Sequence, residues 1–378
     1  SSAPHTARGA DRAEALKRFG AEIEAIRREV EAKLGAEDVR YVKKVDAFSR
    51  AMEVLGRVLI HVSPEPITFL LGVGALFVHK QLEAAEIGHT VLHGAYDGLP
   101  GAERFQSRRF YWDVPIDEES WRYGHNVRHH GGANVAGRDA DIHFGPARLT
   151  RETPYAKRHR FQLPFMLAYL APNFGFLMNL HFTGLNDVFF GNGLPDGDLD
   201  FLPDRSPASK RLAWRRALRK YVPYYLVNYV LFPALAGPMF WKVLLGNWMA
   251  ETLRDVYSAA TIYCGHVGEE VASYPAGTKA RGRGHWYAMQ VEASNDFEVS
   301  RPISILCGGL DRQIEHHLFP RLPPERLRRI APEVRAICAE HGVTYRTGSW
   351  GSVLGKALAW VGKLGREGGL RDVLREGA

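Results

Sequence analysis

The sequence predicts an all-α integral membrane protein with about four membrane helices and a cytoplasmic helical cap that holds a site for two metal ions. Three observations predict this fold. Apolar runs reach the length of membrane helices, and the arginine-rich segments between them all fall on one side. Histidines cluster where those helices emerge on that same side.

Composition limits what the chain can be. Hydrophobic residues make up 46% of the 378 residues, which is enough for a large core, yet the mean hydropathy of −0.23 is low for a fully embedded bundle. Only part of the chain is therefore expected in lipid. The formal net charge of +7 suits an anionic membrane face or an acidic protein. The sequence contains no recognisable strand-rich nucleic-acid module, so nucleic acid is not an expected partner.

The cysteines exclude two kinds of metal site. Cys264, Cys307 and Cys338 are far apart and form no CxxC pair, so neither a zinc ribbon nor an iron–sulfur cluster is expected. Cysteines used in this way fit a reducing cytoplasmic environment.

The first elements follow from the spacing of apolar residues. Residues 10–35 place apolar side chains three and four apart, which predicts an amphipathic helix within an N-terminal segment 1–44. After a proline-rich turn, residues 66–93 predict a helix about 42 Å long, longer than the hydrocarbon core of about 30 Å. This helix therefore leaves the bilayer before it reaches His89 and His93.

Further apolar stretches follow within a membrane domain predicted over residues 45–345. Residues 161–186 carry no charged side chain but are interrupted by two prolines, which predicts one or two helices along the interface or inside the protein. Residues 221–241 are also free of charge, with Tyr and Trp at the ends, and are the best candidate for a membrane span. A second helix then runs toward His266. Residues 346–378 are predicted as a C-terminal helical tail.

The basic residues orient these helices. The turn near residue 64 has no Lys or Arg, and the turn near residue 242 has only Lys242, whereas residues 94–160 and 191–220 and the C-terminal part are rich in arginine. The positive-inside rule therefore places the long segments, both termini and the histidine site on the cytoplasmic side of a multi-pass protein.

Three histidine clusters are the most unusual feature of the sequence. They have the patterns HxxxH, HxxxHH and QxxHH, and their members are His89 and His93, then His125, His129 and His130, then Gln313, His316 and His317. On an α-helix, residues four apart lie on one face and can bind one metal or one each of a pair. A doubled histidine adds a ligand turned by about 100° around the axis.

His266 is predicted as an eighth ligand, because it ends the last apolar helix on the same cytoplasmic side as His89. So many imidazoles suit Fe, Zn, Cu or Ni rather than Mg or Ca. One tetrahedral zinc would use only four ligands, so two metals, each with an open position, fit the number better. Open positions on redox-active iron would allow dioxygen chemistry. Two other histidines, His143 and His181, lie in segments that could approach the site, and their roles are left open.

At these residues the sequence resembles the membrane-bound fatty acid desaturases, most closely the front-end acyl-lipid and acyl-CoA group. The resemblance covers most of residues 45–345 and is most specific over residues 308–320 (GGLDRQIEHHLFP). Gln313 stands in the first place of the third histidine cluster, as in the front-end subgroup. The segment 263–267 (YCGHV) resembles the extra histidine before that cluster. Asp311 departs from the family pattern, which usually has Asn there.

The resemblance implies a reaction that introduces a double bond into the acyl chain of a membrane lipid or an acyl-CoA. It implies two non-haem Fe ions held by the eight histidines, with dioxygen as co-substrate. Since the sequence shows no haem-binding segment and no GxGxxG element, electrons are expected from an external ferredoxin- or cytochrome-like donor with its reductase. An apolar tunnel for the acyl chain is expected from residues 66–93, 161–190 and 221–266.

A few polar side chains are expected to orient the imidazoles or to hold a bridging water. They are Gln313, Glu83, Glu86, Asp141 and Glu315. For Glu83, a solvated charge on a helix surface explains the residue equally well.

Two alternative functions remain. The same three clusters serve related di-iron lipid and alkane hydroxylases, although Gln313 and the adjoining Gly-Gly-Leu favour desaturation. A non-catalytic membrane protein that binds structural zinc is the second alternative. It would need neither an open coordination position nor an electron donor.

Overall fold

The structure is a computed structural model that describes residues 3–144, 147–189 and 201–376, and every regular element within these ranges is helical. The predicted all-α class is therefore confirmed. The α-helices of five or more residues are α1 (Ala3–Glu31), α2 (Ala36–Val62), α3 (Pro66–Leu82), α4 (Phe174–Phe182), α5 (Leu185–Phe189), α6 (Pro207–Leu226), α7 (Phe240–His266), α8 (Arg283–Glu292), α9 (Arg301–Cys307), α10 (Gln313–Leu318), α11 (Pro324–Glu340) and α12 (Trp350–Glu376).

Helix α3 continues beyond its regular α-helical part. A π-helical segment, Glu83–His89, and a last α-turn, Thr90–Leu92, extend it without a break. A second π-helical segment, Arg122–His129, follows the short helix Glu118–Trp121. These two segments carry predicted metal ligands, and π-bulges of this kind are frequent at functional sites. Two further π-helical segments in the described residues, Met166–Leu170 and Val227–Leu231, carry none.

Helices α2 and α3 pack as a pair joined by a tight turn. The Glu65 carboxylate accepts hydrogen bonds from the backbone N–H groups of Ile67 (2.6 Å) and Thr68 (2.8 Å), and so it caps α3, whose first residue is a proline. This cap fixes where the chain reverses.

The same two helices cross through glycines. A Cβ added at Gly56 would lie 2.6 Å from the Leu76 nitrogen, and one added at Gly72 would lie 2.8 Å from Leu59 Cβ. A larger residue at either position would push the backbones apart. Close crossing at small residues is how helices associate in lipid, where burial of apolar surface gives no driving force.

Two helical stretches in the described ranges are long and apolar enough to cross a membrane, Pro66–Leu92 and Lys157–Phe182. The first coincides with the predicted span at 66–93. The second lies where the sequence predicts interfacial or internal helices. Its prolines interrupt the α-helical path only locally, because π-helical and 3₁₀ turns continue the helix past them.

The predicted span at 221–241 is not among these candidates. The apolar run does not form one helix, because the helical path that includes α6 ends at Leu235 and the next helix, α7, begins at Phe240. The turn predicted near residue 242 thus lies earlier, within the predicted span, at Gly237–Met239. At its other end α6 begins at Pro207, well before the apolar run, and its first half carries basic side chains such as Arg211 and Arg215. By length and composition, the described ranges thus contain two candidate spans where the sequence predicts about four.

The cap is packed around the helix that carries the third histidine cluster. Phe19 and Ile23 of α1 are buried in one apolar cluster with Tyr287 of α8, Ile314 of α10 and Val334 of α11. Burial of each such side chain contributes about 1.5–3 kcal/mol. The N-terminal helix therefore helps to hold α10 in place.

The C-terminal helix α12 packs over a second large apolar cluster. Trp360 and Leu364 are buried together with Trp121 and Phe144. The indole N–H of Trp360 also donates a hydrogen bond to the Leu149 carbonyl at 3.1 Å. This helix thereby encloses the apolar side of the histidine site.

Candidate metal centre

Eight histidines from four separate parts of the chain converge at one place. They are His89 and His93 at the end of the extended α3, His125, His129 and His130 around the second π-helical segment, His266 at the end of α7, and His316 and His317 in α10. All are buried except His266, which is half-buried. The structure thus brings together every histidine that the sequence predicts as a ligand.

One group of imidazoles forms around His89. Its Nε2 atom lies 3.3 Å from those of His93 and His125, and His125 Nε2 lies 3.2 Å from His130 Nε2. The His316 ring completes the group, with its centroid 4.7 Å from those of His89 and His93.

A second group lies beside the first. His317 Nε2 is 3.2 Å from His129 Nε2 and 2.9 Å from His266 Nε2. At a metal–nitrogen distance of about 2.1 Å, nitrogens at right-angled or tetrahedral positions around one ion lie about 3.0–3.4 Å apart. The spacing in both groups therefore suits nitrogens that share a metal.

The π-helical segment explains why all three histidines of the HxxxHH cluster belong to the site. In an α-helix, His130 would point about 100° away from His129. Here the backbone N–H of His130 donates to the His125 carbonyl at 3.0 Å, a hydrogen bond that spans five residues. The wider turn brings His130 onto the same face as His125. The sequence pattern predicts a helix but not this type of helix.

Asp139 orients His129. Its carboxylate oxygens lie 3.0 and 3.1 Å from His129 Nδ1, and they accept the backbone N–H groups of Asn134 (2.7 Å) and Asp141 (2.9 Å). A carboxylate on Nδ1 fixes the ring and leaves Nε2 for a metal. The predicted Asp141 lies farther away, with its carboxylate 3.4 Å from His125 Nδ1 and 3.6 Å from His129 Nδ1.

Two further rings are held in the same way. His317 Nδ1 lies 2.9 Å from Gln290 Oε1, and His266 Nδ1 lies 3.2 Å from the Ala293 carbonyl. Neither these contacts nor the one from Asp139 is predicted from the sequence. Asp139, Gln290 and Ala293 lie in loops or on another helix than the histidines that they contact. The only indication of their role in the sequence was that they lie within the range that resembles the family.

Gln313 lies nearest to the imidazoles among the side chains predicted to orient them. Its amide nitrogen is 2.7 Å from His266 Nε2, and its Oε1 is buried with no hydrogen-bond partner among the described residues. Because the two ends of an amide are assigned from their contacts, rotation by 180° would turn the oxygen toward the site. Gln313 can therefore offer a donor or a carbonyl ligand.

The three predicted glutamates have other partners. The structure pairs Glu83 with Arg50, Glu86 with Arg328 and Tyr41, and Glu315 with Tyr345. These contacts hold the helices that carry the ligands.

The two histidines without an assigned role are placed differently. His181 Nε2 lies 3.0 Å from the Ala140 carbonyl and its Nδ1 lies 3.4 Å from the Asn186 amide. His181 thus supports the loop next to Asp139. The side chain of His143 lies outside the described residues.

Burial keeps most of the ligand candidates neutral. It lowers the pKa of His125, His130, His316 and His317 well below the ordinary value, and neighbouring imidazoles lower the pKa further. The neutral imidazole is the form that binds metals.

His129 differs because two carboxylates lie beside it. Burial lowers its pKa, but the charges of Asp139 and Asp141 outweigh burial and raise the pKa to about 9. Burial also raises the pKa of Asp141 to about 7. Burial opposes the ionisation of Asp139, but the neighbouring His129 and two backbone N–H groups hold its pKa below the ordinary value, and the negative charge of Asp139 favours a cation at this place.

Some buried polar atoms of the cluster have no hydrogen-bond partner within the described residues. They include His316 Nε2 and Gln313 Oε1. An unpaired buried polar group costs about 1–3 kcal/mol, so such atoms point to a missing partner. Imidazole nitrogens are donors that iron and other transition metals accept. The residues present therefore fit a metal site.

A narrow cavity of about 110 Å³ reaches the histidines. His89, His125, His129 and His266 line it, and most of the remaining wall is apolar, with Trp112, Phe144, Phe174 and Met178 among its residues. Each of the three segments predicted to form a tunnel contributes to this wall. Residues 112–149 and 307–313, which the sequence does not predict, contribute as well.

Comparison with known proteins gives concordant matches. The family model described as fatty acid desaturase matches residues 64–349. The chain is 33% identical over 355 residues to an NADPH-dependent stearoyl-CoA 9-desaturase of Mycobacterium tuberculosis, covering 92% of this chain and 80% of that protein. It is 24% identical over 311 residues to an sn-1 linoleoyl-lipid 6-desaturase of Synechocystis, covering 80% and 82%. Human fatty acid desaturase 3 is 27% identical over 237 residues, 60% of this chain and 45% of that protein.

The matched residues include all eight histidines. The relatives comprise acyl-CoA and acyl-lipid desaturases, which confirms the resemblance stated from the motifs. Such relatives indicate an oxidoreductase that acts in lipid metabolism. This chain is a member of the fatty acid desaturase family.

Proposed function

We propose that this chain is a membrane-embedded di-iron desaturase that uses dioxygen and electrons from an external carrier to introduce a double bond into a fatty acyl chain. The observation that carries the proposal is the convergence of eight imidazoles in two adjacent groups beside an apolar cavity. Relatives named for stearoyl-CoA and for linoleoyl lipid support an acyl-CoA or an acyl lipid as substrate.

The eight histidines would hold the two iron ions. His89, His93, His125 and His316 would bind one ion, and His129, His266 and His317 the other. His130 adjoins both groups, since its Nε2 lies 3.2 Å from that of His125 and its ring stacks on that of His317. Gln313 would act beside an open position, through its carbonyl or a bridging water. When bound, the iron ions would activate dioxygen so that an unactivated C–H bond can be broken.

The side chains of this site would act by position rather than as acids or bases, because a methylene group offers no acidic proton. Apolar walls such as Trp112 and Phe174 would hold the acyl chain and exclude water. His125 and His129 line the same cavity, so the depth to which the chain enters would decide which carbons lie beside the metals. Asp139 would keep one ligand ring fixed throughout.

A belt of exposed apolar side chains supports a membrane location with about four spans. It follows the second half of α2, the start of α3, the second half of α6 and the first half of α7, with Val58, Leu71, Val222, Trp241 and Trp248 among its members. Contiguous apolar surface of this kind is unfavourable in water, and lipid would cover it. These four helices would be the spans, with the arginine-rich segments and both termini in the cytoplasm.

Expression in a host whose own acyl desaturases have been deleted tests the function. Acyl chains lighter by two hydrogens would show desaturation, and chains heavier by one oxygen would favour the hydroxylase alternative. His316→Ala should be inactive and low in iron, while His285→Ala, which alters a half-buried histidine outside the cluster, should remain active. Unchanged acyl chains from an iron-loaded, membrane-inserted protein that is supplied with a reductant would refute the proposal.

A further inference from the structure

A second pocket reaches the histidine cluster by a separate route. It has a volume of about 610 Å³, and His93 and His130 lie in its wall. None of its lining residues also lines the apolar cavity. His125 lines the cavity and His130 lines the pocket, and their Nε2 atoms are 3.2 Å apart. The two spaces therefore approach the same centre from its two sides.

The wall of this second pocket is positively charged. Arg108, Arg122 and Arg321 line it together with a single carboxylate, Asp97. That carboxylate accepts hydrogen bonds from the backbone N–H (2.7 Å) and the hydroxyl (2.6 Å) of Ser107. Arg108 and Arg321 are exposed, and among the described residues neither has an ion-pair partner. A surface with a net positive charge, three arginines against one carboxylate, thus leads directly to two ligand histidines.

We propose that this arginine pocket is the docking site of the electron carrier, a proposal that rests on the di-iron function above. An acidic one-electron carrier protein would place its redox group at the pocket, with its carboxylates against Arg108 and Arg321. Each docking event would oxidise the carrier by one electron, and His93 or His130 would connect the pocket with the iron that it holds. Two such events would supply the two electrons that the proposed reaction needs.

The phosphates of an acyl-CoA are the other anions that could suit three arginines. An acyl-CoA bound here by its phosphates would have to pass its acyl chain into the apolar cavity. The two spaces have no lining residue in common, and His125 and His130 separate them. An electron needs no such passage, because a ligand imidazole connects the pocket with the metal. The geometry therefore favours the electron carrier.

Pre-steady-state reduction of the iron-loaded, detergent-solubilised protein tests the proposal. The probe is an acidic [2Fe–2S] ferredoxin of the plant type, kept reduced by NADPH and its reductase. We expect reduction of the wild type to slow as salt is added, because attraction between surface charges is screened. In the double variant Arg108→Glu with Arg321→Glu, the rate at low salt should fall about 10-fold or more. Because the two new carboxylates repel an acidic carrier, added salt should no longer slow its reduction.

The matched control carries Lys279→Glu with Arg281→Glu, since both residues are exposed and line neither space. It should behave as the wild type does. Dithionite, a small reductant that needs no docking surface, should reduce all three proteins completely and support the same product.

Ferredoxin that reduces the double variant as fast as the wild type would overturn the proposal, as would a failure to reduce either. A raised KM for acyl-CoA in dithionite-driven turnover of the double variant would assign the pocket to the substrate instead. Loss of iron from that variant would assign the arginines a structural role. A wild type that binds no iron, or that forms no double bond with dithionite, would refute the proposed function itself, which is a separate result.

Discussion

A histidine ring can present either nitrogen to a metal, and at this centre neighbouring groups decide which one faces inward. Asp139, Gln290 and the Ala293 carbonyl each occupy an Nδ1 atom. The Nε2 atoms of the same rings then face one another at 2.9–3.2 Å. Partners of this kind fix the orientation of a ligand ring and make its other nitrogen a stronger metal ligand.

Asp139→Asn should lower the iron affinity of the site by about 10–100-fold. The carboxylate accepts two backbone N–H groups as well as His129, and an amide would face one of these donors with its own NH₂ group. Iron retained per chain against chelators of graded strength measures the effect. Glu333→Gln, at an exposed position on α11, is the control and should retain iron normally. Equal retention in the two variants would show that Asp139 does not orient the ligand.

At the scale of elements, helices α4 and α7 meet at the end of the apolar cavity remote from the histidines. On α7, Arg254 and His266 both line the cavity and are separated by about 18 Å at about 1.5 Å per residue. A Cβ added at Gly175 of α4 would lie 3.1 Å from Arg254 Nη2 and from Asp255 Oδ1. The absence of a side chain at Gly175 therefore leaves room at this end of the cavity.

Gly175→Leu should make the enzyme prefer shorter acyl chains, because the new side chain occupies the far end of the cavity. Turnover of a series of saturated acyl-CoAs of increasing length, compared as kcat/KM, measures the shift. Gly74→Leu, where an added Cβ meets nothing within 4 Å, is the control and should leave the preference unchanged. An unaltered chain-length profile in the Gly175 variant would place the end of the acyl chain elsewhere.

Element boundaries show where sequence patterns stop being informative. The apolar run of 66–93 and the helix that ends at His266 are found as predicted, since helical periodicity and charge are local properties. The start of α6 at Pro207 and the π-helical form of Arg122–His129 are not predicted. The start of α6 nevertheless has a local cause, because the Ser206 hydroxyl caps the helix and Pro207 occupies its first position.

At the scale of the whole molecule, a buried ionic network joins α3 to α7. Lys80 Nζ lies 2.8 Å from Glu251 Oε2 and 2.9 Å from the Tyr224 hydroxyl, and Arg254 lies against Glu251 and Asp255. Two cations and two carboxylates balance one another, so the network carries no net charge when all are ionised. Its position, between helices of the exposed apolar belt, leaves little water to solvate an unpaired member.

Lys80→Met should destabilise the protein by about 3–5 kcal/mol, because one buried carboxylate loses its counter-charge. Thermal unfolding in detergent, with Lys44→Met at an exposed position as the control, measures the loss. Adding Glu251→Leu to Lys80→Met should restore much of the stability, since the remaining charges are again equal in number. If Lys80→Met alone is as stable as the wild type, Glu251 does not need Lys80 to balance its charge, which would contradict the prediction.

The sequence by itself determined the all-helical class, the family and which eight histidines come together. Helical periodicity and histidine spacing are properties of residues close together in the chain. It did not predict how Asp139 and Gln290 hold the rings, or that His125 and His130 face two different spaces. Those features were decided by the tertiary structure, since each is a contact between segments far apart in the chain. A local sequence pattern cannot predict such a contact, because the contact forms and stabilises the protein only after the helices have packed.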